Sequence, residues 1–114
     1  MTKHKVVLVP FPFDDLSSAK VRPAVCLTEP IGQHKHVVLA FITSRVPAEQ
    51  LSTNLVFAET DENFADTGLR VSSTLQLHRM MTVSKSIFVR ELGKLPETKQ
   101  KQVEGKLKLL FNIE

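Results

Sequence analysis

Short apolar segments, of which residues 70–78 alternate with polar positions, recur along most of the chain and predict a fold made mainly of β-strands. Each segment is rich in valine, leucine or isoleucine and is bounded by proline, glycine or polar turn residues, a pattern typical of strands. The segments predict strands at residues 5–11, 21–28, 36–42, 70–78 and 86–92, with a shorter one at 55–58. Gly68, in the acidic stretch before the 70–78 strand, suits a left-handed cap.

The last segment of the chain has the period of a helix instead. Residues 95–112 place apolar side chains at the spacing of one helix face, namely Val103, Leu107, Leu110 and Phe111. Pro96 suits a first helical turn, whereas Gly105 lowers helix stability by about 1 kcal/mol, so we expect the helix to depend on packing. Five or six short strands and one terminal helix predict a small β-barrel or sandwich, in a single domain over residues 1–114.

Several polar residues are predicted to lie at strand ends. Arg22 stands directly before Pro23, and a proline restricts the preceding residue to an extended conformation. The guanidinium is therefore expected to be held at the end of a strand. Thr43 and Ser44 directly follow an apolar strand, so their hydroxyls should emerge where that strand leaves the core. The other residues of this set are Ser73, Gln76, His78 and Arg79. Each one alone is also consistent with an ordinary strand-end hydrogen bond.

The positive charge of the chain is unevenly distributed. The net charge is +3 over 114 residues, and the three blocks 1–45, 46–78 and 79–114 carry +3, −4 and +4. Two basic blocks around an acidic one favour a polyanionic partner. No apolar run approaches the ~20 residues that span a bilayer, so no membrane association is expected. The single cysteine, Cys26, lies in an apolar run and is expected to be a core thiol in a cytoplasmic protein.

No common cofactor or metal motif is present in the sequence. It has no CxxC, no HExxH, no glycine-rich phosphate loop and no GxSxG. His34 and His36 offer two metal-binding side chains, but they are better explained as the end of a hairpin. Asp14 and Asp15 are likewise better explained as loop-capping residues than as ligands of a divalent ion. The sequence therefore predicts no metal site and no cofactor.

Four ordered blocks of sequence resemble a known protein family. They are "VVLVPFPFDDLSSAKVRPAVCLTE", "VVLAFITS", the "TGLRVSS" stretch, and "TVSKSIFVRELGKL". Together they are similar to the MazF/PemK family of toxins from bacterial toxin–antitoxin pairs, from about residue 5 to residue 112. The resemblance implies an SH3-like β-barrel with a C-terminal α-helix and a short accessory helix. It also implies a homodimer, a cognate antitoxin protein, and metal-independent endoribonuclease activity on single-stranded RNA.

The resemblance also assigns roles to individual residues. The family's catalytic arginine and threonine correspond to Arg22 and Thr43. A planar guanidinium matches the charge that builds up on a phosphate during RNA cleavage. Some relatives place an acidic residue at His78, where a histidine is either a proton-transferring base or a surface residue at a strand end. The residues expected to bind RNA are Lys20, Ser44, Ser73, Gln76 and Arg79.

Two alternative functions stay open at this point. A gyrase-poisoning protein of the CcdB type shares the barrel fold, but it acts through a C-terminal Trp-Gly-Ile element. This chain has no tryptophan and ends Phe111-Asn112-Ile113-Glu114. The second alternative is a barrel that binds RNA without cleaving it.

Overall fold

The structure is a computed structural model that describes residues 1–11 and 20–114. Asp14 and Asp15, predicted to cap a loop, lie outside the described residues. Within the described part, six strands and one α-helix follow one another along the chain. They are β1 (Lys5–Phe11), β2 (Lys20–Cys26), β3 (His36–Thr43), β4 (Asn54–Phe57), β5 (Ser73–Ser84), β6 (Arg90–Lys94) and α1 (Glu97–Phe111).

The six strands form one curled antiparallel sheet in the order β4-β5-β3-β2-β1-β6. The predicted mainly β architecture with a C-terminal helix is therefore confirmed. All of the predicted strands are present, and the first has the predicted bounds. In place of a short accessory helix, the described residues contain two 3₁₀ turns, Phe64–Thr67 and Lys85–Ile87.

Both faces of the sheet carry buried apolar side chains. Because successive residues of a strand point to opposite faces, Val6 and Val7 belong to different clusters. We call the cluster that includes Val103 of α1 the helix-covered core. Its buried members are Val6, Val25, Leu27, Ala40, Ile42, Leu55, Phe57, Leu75, Leu77, Leu95 and Val103. The second cluster consists of Val7, Val9, Ala24, Cys26, Val37, Leu39, Phe41 and Val83.

Strand β5 is longer and less regular than its sequence predicts. The predicted strand ends at residue 78, whereas β5 continues to Ser84. Next to β3, the pairing changes from Ala40 with Met80 to Phe41 with Gln76. Residues 77–79 are therefore extra residues in this ladder, and such irregularities bend a strand and redirect its side chains. They explain why the alternation in the sequence breaks at this point.

The last strand begins later than its sequence predicts. The pattern predicts a strand over residues 86–92, but Lys85–Ile87 is a 3₁₀ turn whose first residue follows Ser84, and β6 starts only at Arg90. The Ser84 hydroxyl accepts a hydrogen bond from the Ser86 N–H. Side-chain capping of this kind favours a turn over a strand. Ile87 and Val89, which give the segment its apolar character, are exposed.

The turn before β5 contacts β6 through two glycines. Gly68 has φ +73°, as expected for a left-handed cap, and a Cβ there would overlap the Leu92 carbonyl. A Cβ on Gly93 would overlap the Asp66 carbonyl. The two backbones therefore approach too closely for any side chain at either position. This contact fixes the segment that leads from the turn into β5.

Helix α1 packs against the sheet through a buried side chain, and a lysine on it also contacts β4, which its sequence does not predict. Val103 is fully buried, and Pro96 at the N-cap provides no side-chain hydrogen bond. The Lys99 ammonium donates to the Val56 carbonyl at 3.0 Å and lies 3.1 Å from an Asp61 oxygen. Phe111, predicted on the buried face, is 56% exposed. It is the last helical residue, and the chain leaves the helix at Asn112 in the left-handed conformation.

Among the helices of the described residues, none is long and apolar enough to cross a membrane.

Candidate active site

A cavity opens where β2 and β3 stop pairing. The pairs between these strands run from Cys26 with Leu39 to Ala24 with Phe41. Continuing that register by two residues would set Arg22 opposite Thr43. The cavity at this end of the two strands has a volume of about 230 Å³. It is lined by Arg22, Phe41, Ile42, Thr43, Arg45, Gln76 and Arg79. We call it the Arg22 cavity.

Arg22 is held as its sequence context predicts. It lies within β2, is exposed, and pairs with Val9 of β1. The next residue, Pro23, has no N–H and therefore donates no backbone hydrogen bond to a neighbouring strand. An exposed guanidinium on a paired strand is fixed at its Cα, and this limits the positions that the charged group can reach.

The Thr43 hydroxyl has a defined position at the other side of the cavity. Its oxygen accepts a hydrogen bond from the Arg45 N–H at 3.1 Å. This bond holds the side chain in a local turn. It occupies one lone pair of the hydroxyl oxygen and does not involve the hydroxyl proton. The hydroxyl proton therefore stays available for donation to a ligand. Phosphate oxygens are suitable acceptors for such a proton.

The Arg22 cavity is strongly basic. Seven described residues line it, of which three are arginines and none is an aspartate or glutamate. Arg45 and Arg79 are exposed, and within the described part of the chain neither forms an ion pair. Because three arginines line the cavity and no carboxylate of the described residues pairs with Arg45 or Arg79, the cavity favours anions. A bound phosphate would lie among fork-shaped donors that suit its oxygens.

The structure brings some of the predicted site residues together and separates others. Gln76 and Arg79 line the Arg22 cavity with the two predicted catalytic residues. Lys20 is exposed at the start of β2 and His78 is exposed in the irregular part of β5, and neither lines this cavity. Arg45 was missed by sequence reasoning, although it follows the "ITS" element directly and a signal was therefore present.

Ser44 and Ser73 line a neighbouring cavity of about 270 Å³. The Ser73 hydroxyl is largely buried and donates to the Val71 carbonyl at 2.8 Å. Its proton is therefore used within the protein. Ser44 is exposed at the end of β3, beside Thr43. The two serines thus lie next to the Arg22 cavity rather than in it.

A larger cavity, of about 630 Å³, lies between the Phe64–Thr67 turn, β6 and the start of α1. Its lining includes three carboxylates, from Asp66, Glu91 and Glu97, and one ammonium, from Lys94. None of the predicted site residues lines it. Its charge is the opposite of that expected for a polyanion site, so size alone does not identify the functional cavity.

The other candidate residues of the sequence, two histidines and the cysteine, are explained by their positions in the fold. His34 and His36 have ring centroids 5.9 Å apart at the exposed β2–β3 turn. In the described ranges, no group of three or more histidine, cysteine or acidic side chains is placed to hold a metal ion. Cys26 is fully buried, which confirms the expected core thiol, and burial raises its pKa to about 11. A thiol with such a pKa is a poor nucleophile at neutral pH.

Comparisons with known proteins show a toxin family. The family described as PemK-like, MazF-like toxin of type II toxin–antitoxin system matches residues 2–111. The chain belongs to this family, which confirms the resemblance seen in its motifs. A comparison with curated proteins gives no match.

Two solved structures have the same fold. The Mycobacterium tuberculosis toxin MazF-mt6 is 19% identical, and the match covers 96% of this chain and 98% of that one with a TM-score of 0.73. An endoribonuclease in complex with its cognate antitoxin, from Mycobacterial species, is 12% identical. That match covers 100% of this chain and 97% of the other, with a TM-score of 0.71. At these identities the likeness is one of fold.

Proposed function

We propose that this protein is a toxin that cleaves single-stranded RNA inside a short sequence, without a metal ion. One observation carries the proposal: the pairing of β2 and β3 ends at a basic cavity that contains both Arg22 and Thr43. Family membership supports it. One structural neighbour, an endoribonuclease in complex with its cognate antitoxin, supports it as well.

The proposed reaction uses the 2′-hydroxyl of the RNA as nucleophile. The 2′-oxygen forms a bond to the adjacent phosphorus while the bond from phosphorus to the 5′-oxygen breaks. The proton of the 2′-hydroxyl passes to a base, and the departing 5′-oxygen takes up a proton. The products carry a 2′,3′-cyclic phosphate and a free 5′-hydroxyl. Since the nucleophile belongs to the substrate, no metal-bound hydroxide is needed.

Arg22 and Thr43 supply the charge stabilisation in this scheme. Negative charge builds up on the non-bridging phosphate oxygens in the transition state. Arg22 donates two parallel N–H groups to them, and Thr43 donates its hydroxyl proton. Donors that are already fixed before the reaction need no reorganisation as the charge develops, which is why such groups contribute strongly to catalysis.

His78 is the proposed base. It lies two residues from Gln76 and directly before Arg79, both of which line the Arg22 cavity. Because it is exposed rather than part of the lining, it must approach the 2′-hydroxyl when RNA is bound. A His78→Gln variant should therefore lose the acidic limb of the pH–rate profile. An unchanged profile would remove His78 from the mechanism.

The proposed partners are single-stranded RNA, an antitoxin protein that covers the basic cavity, and a second copy of the chain. In the described part of the chain, β4 and β6 are the edge strands of the sheet, and edge strands favour pairing with another chain. We expect a homodimer, with a mass near twice 12.8 kDa by light scattering. A monomer that still cleaves RNA would contradict the dimer.

The experiment that tests the proposed function is cleavage of a mixed single-stranded RNA pool in excess EDTA. We expect cleavage to persist, and mass spectrometry of the fragments to find cyclic phosphate and 5′-hydroxyl ends. Loss of cleavage that magnesium restores would contradict the metal-independent mechanism. Binding without cleavage under both conditions would favour a silent RNA-binding barrel.

A further inference from the structure

All five arginines of the chain line one of two adjacent cavities. Arg22, Arg45 and Arg79 line the Arg22 cavity. Arg70 and Arg90 line the cavity of about 270 Å³ that also contains Ser44, which we call the Arg70–Arg90 cavity. None of the ten lysines lines either cavity. We call the two cavities together the arginine end of the sheet.

The chemistry of the arginine side chain explains why these cavities contain arginine and not lysine. Lysine and arginine carry the same charge, so a requirement for charge alone would use both. Arginine alone provides a planar fork that binds phosphate oxygens in pairs and stacks on the faces of aromatic rings. Nucleotides offer both kinds of partner. The five arginines are far apart in the sequence, and only the fold brings them to one end of the sheet.

The two cavities lie on opposite sides of the same strand ends. Arg22 lies on the same face of β2 as Ala24, which belongs to the second apolar cluster. Pro23 pairs with Leu8, which pairs in turn with Arg90, and these three residues share the other face. Thr43 and Ser44 likewise divide between the two cavities. A strand of RNA that crosses the end of the sheet would therefore enter both.

The Arg70–Arg90 cavity has the lining that a nucleotide requires. Five of its side chains are apolar, namely Leu8, Pro23, Leu69, Val71 and Leu92. Arg70 and Arg90 are exposed, and within residues 1–11 and 20–114 neither forms an ion pair. No aspartate or glutamate lines the cavity among the described residues. An apolar surface suits the face of a base, and the arginines suit its phosphate.

One wall of this cavity is fixed before any ligand binds. Gly68 lies against the Leu92 backbone, so the segment Leu69–Val71 cannot move away from β6 without breaking that contact. Ser73 donates to the Val71 carbonyl and holds the other end of the same segment. A preformed wall lowers the entropy cost of binding.

We propose that the Arg70–Arg90 cavity binds a nucleotide next to the scissile phosphate of the same RNA strand. The base rests on the apolar wall while Arg70 and Arg90 bind its phosphate. This inference rests on the proposed function for the position of the scissile phosphate. Binding of a nucleotide in the cavity is tested separately, by the dissociation constant of RNA. The path of the RNA then runs over Pro23 and Ser44, from one cavity to the other.

The test is a double variant, Arg70→Gln with Arg90→Gln, compared with the control double variant Lys101→Gln with Lys108→Gln. Both remove two positive charges, and the control residues are exposed on α1. Fluorescence anisotropy measures the dissociation constant, and cleavage assays measure kcat/KM. The substrates are one cleaved RNA and a series of it shortened from each end toward the scissile bond.

We expect the arginine variant to bind the long RNA at least about tenfold more weakly than the control does, with a shallower salt dependence. The slope of log K against log salt should fall by about 0.7 for each phosphate that the variant no longer binds. On the shortest RNAs, which lack the flanking nucleotide, the two variants should bind and cleave equally. An equal weakening at every length, or no weakening relative to the lysine control, would overturn the proposal.

Two further outcomes separate this proposal from the proposed function. If the wild-type protein binds RNA without cleaving it, and the length-dependent weakening is still seen, the cavity assignment stands and the nuclease activity fails. If RNA binding is unchanged in the arginine variant while antitoxin binding disappears, the cavity binds protein and the proposal is wrong.

Discussion

The helix-covered core and the arginine end use the same strands in different ways. In the core, Leu75 of β5 pairs with Ile42 on one side and Leu55 on the other, and all three are buried. At the arginine end, β2 and β3 stop pairing after Ala24 and Phe41. Uninterrupted pairing buries apolar side chains, whereas interrupted pairing leaves room for charged side chains and a ligand. Stability and function are thus expected to depend on different residues.

The largest expected effect is a loss of stability from a substitution in the helix-covered core. Leu75→Ala removes a fully buried side chain and leaves a cavity among well-packed neighbours. We expect the free energy of unfolding to fall by about 2–5 kcal/mol, measured by denaturant titration. Remaining folded molecules should cleave RNA normally. A change in kcat per folded molecule as large as the change in stability would show that the two regions are not separate.

The second prediction concerns a substitution that changes only the arginine end. Arg22→Lys keeps the charge but loses the paired N–H donors, so kcat should fall by about 10² or more. The variant should stay folded, because it keeps the positive charge on an exposed side chain, and a denaturant titration checks this. Turnover near that of wild type would remove Arg22 from its proposed role. Lys108→Gln, at an exposed residue of α1 that lines neither cavity of the arginine end, is the control.

The third prediction concerns a residue at the border between the two regions. Asn54 is buried opposite Gln76, and neither atom of its amide has a hydrogen-bond partner within the described residues. Asn54→Leu should raise the free energy of unfolding by about 1 kcal/mol, because an unsatisfied buried amide is costly. Asn54→Asp should lower it, since it buries a charge. Destabilisation by leucine would mean that the amide has a bound partner, such as water.

The smallest expected effect is a pH dependence far from the arginine end. His4 is buried, its backbone N–H donates to the Cys26 carbonyl at 2.8 Å, and burial, with help from the Lys3 charge, lowers its side-chain pKa below 6.5. The folded state therefore binds a proton less readily than the unfolded state. The stability that this provides is present above pH 6.5 and is lost as the pH falls through the lowered pKa.

The variant that tests this is His4→Asn, because asparagine tolerates the φ of +77° found at this position. Between pH 7 and pH 5 the unfolding free energy of the variant should fall less than that of the wild type. Chemical denaturation at several pH values measures both slopes. Equal slopes would show that His4 does not cause the dependence.

The sequence predicted the regular parts of the molecule well, because their periods are local. The β-branched run of β1 and the spacing around Val103 required no knowledge of distant residues. The start of β6 and the irregularity at residues 77–79 were missed, since both depend on local hydrogen bonds and on the neighbouring strand. Exposed apolar residues such as Val89 then gave a misleading strand pattern.

Part of the candidate site could also be predicted, but from motifs rather than from hydrophobic periodicity. Arg22 and Thr43 were found through the family motifs and through Pro23, which signals an extended residue before it. Arg70 and Arg90 lie within two of the family-like blocks, but the resemblance assigns them no role, and they meet only because β6 lies beside β1 and the Gly68 turn contacts β6. Residues brought together by non-local pairing leave no spacing that a sequence can reveal.

The most direct test of the central claim uses RNA with one deoxynucleotide on the 5′ side of the scissile bond. If the 2′-oxygen is the nucleophile, this RNA should bind with nearly the wild-type dissociation constant, since phosphate contacts and stacking dominate affinity. It should not be cleaved at that bond, while the all-ribose RNA is cleaved. Cleavage of the deoxy-substituted bond at the normal rate would show that another nucleophile is used, and would contradict the mechanism built on Arg22 and Thr43.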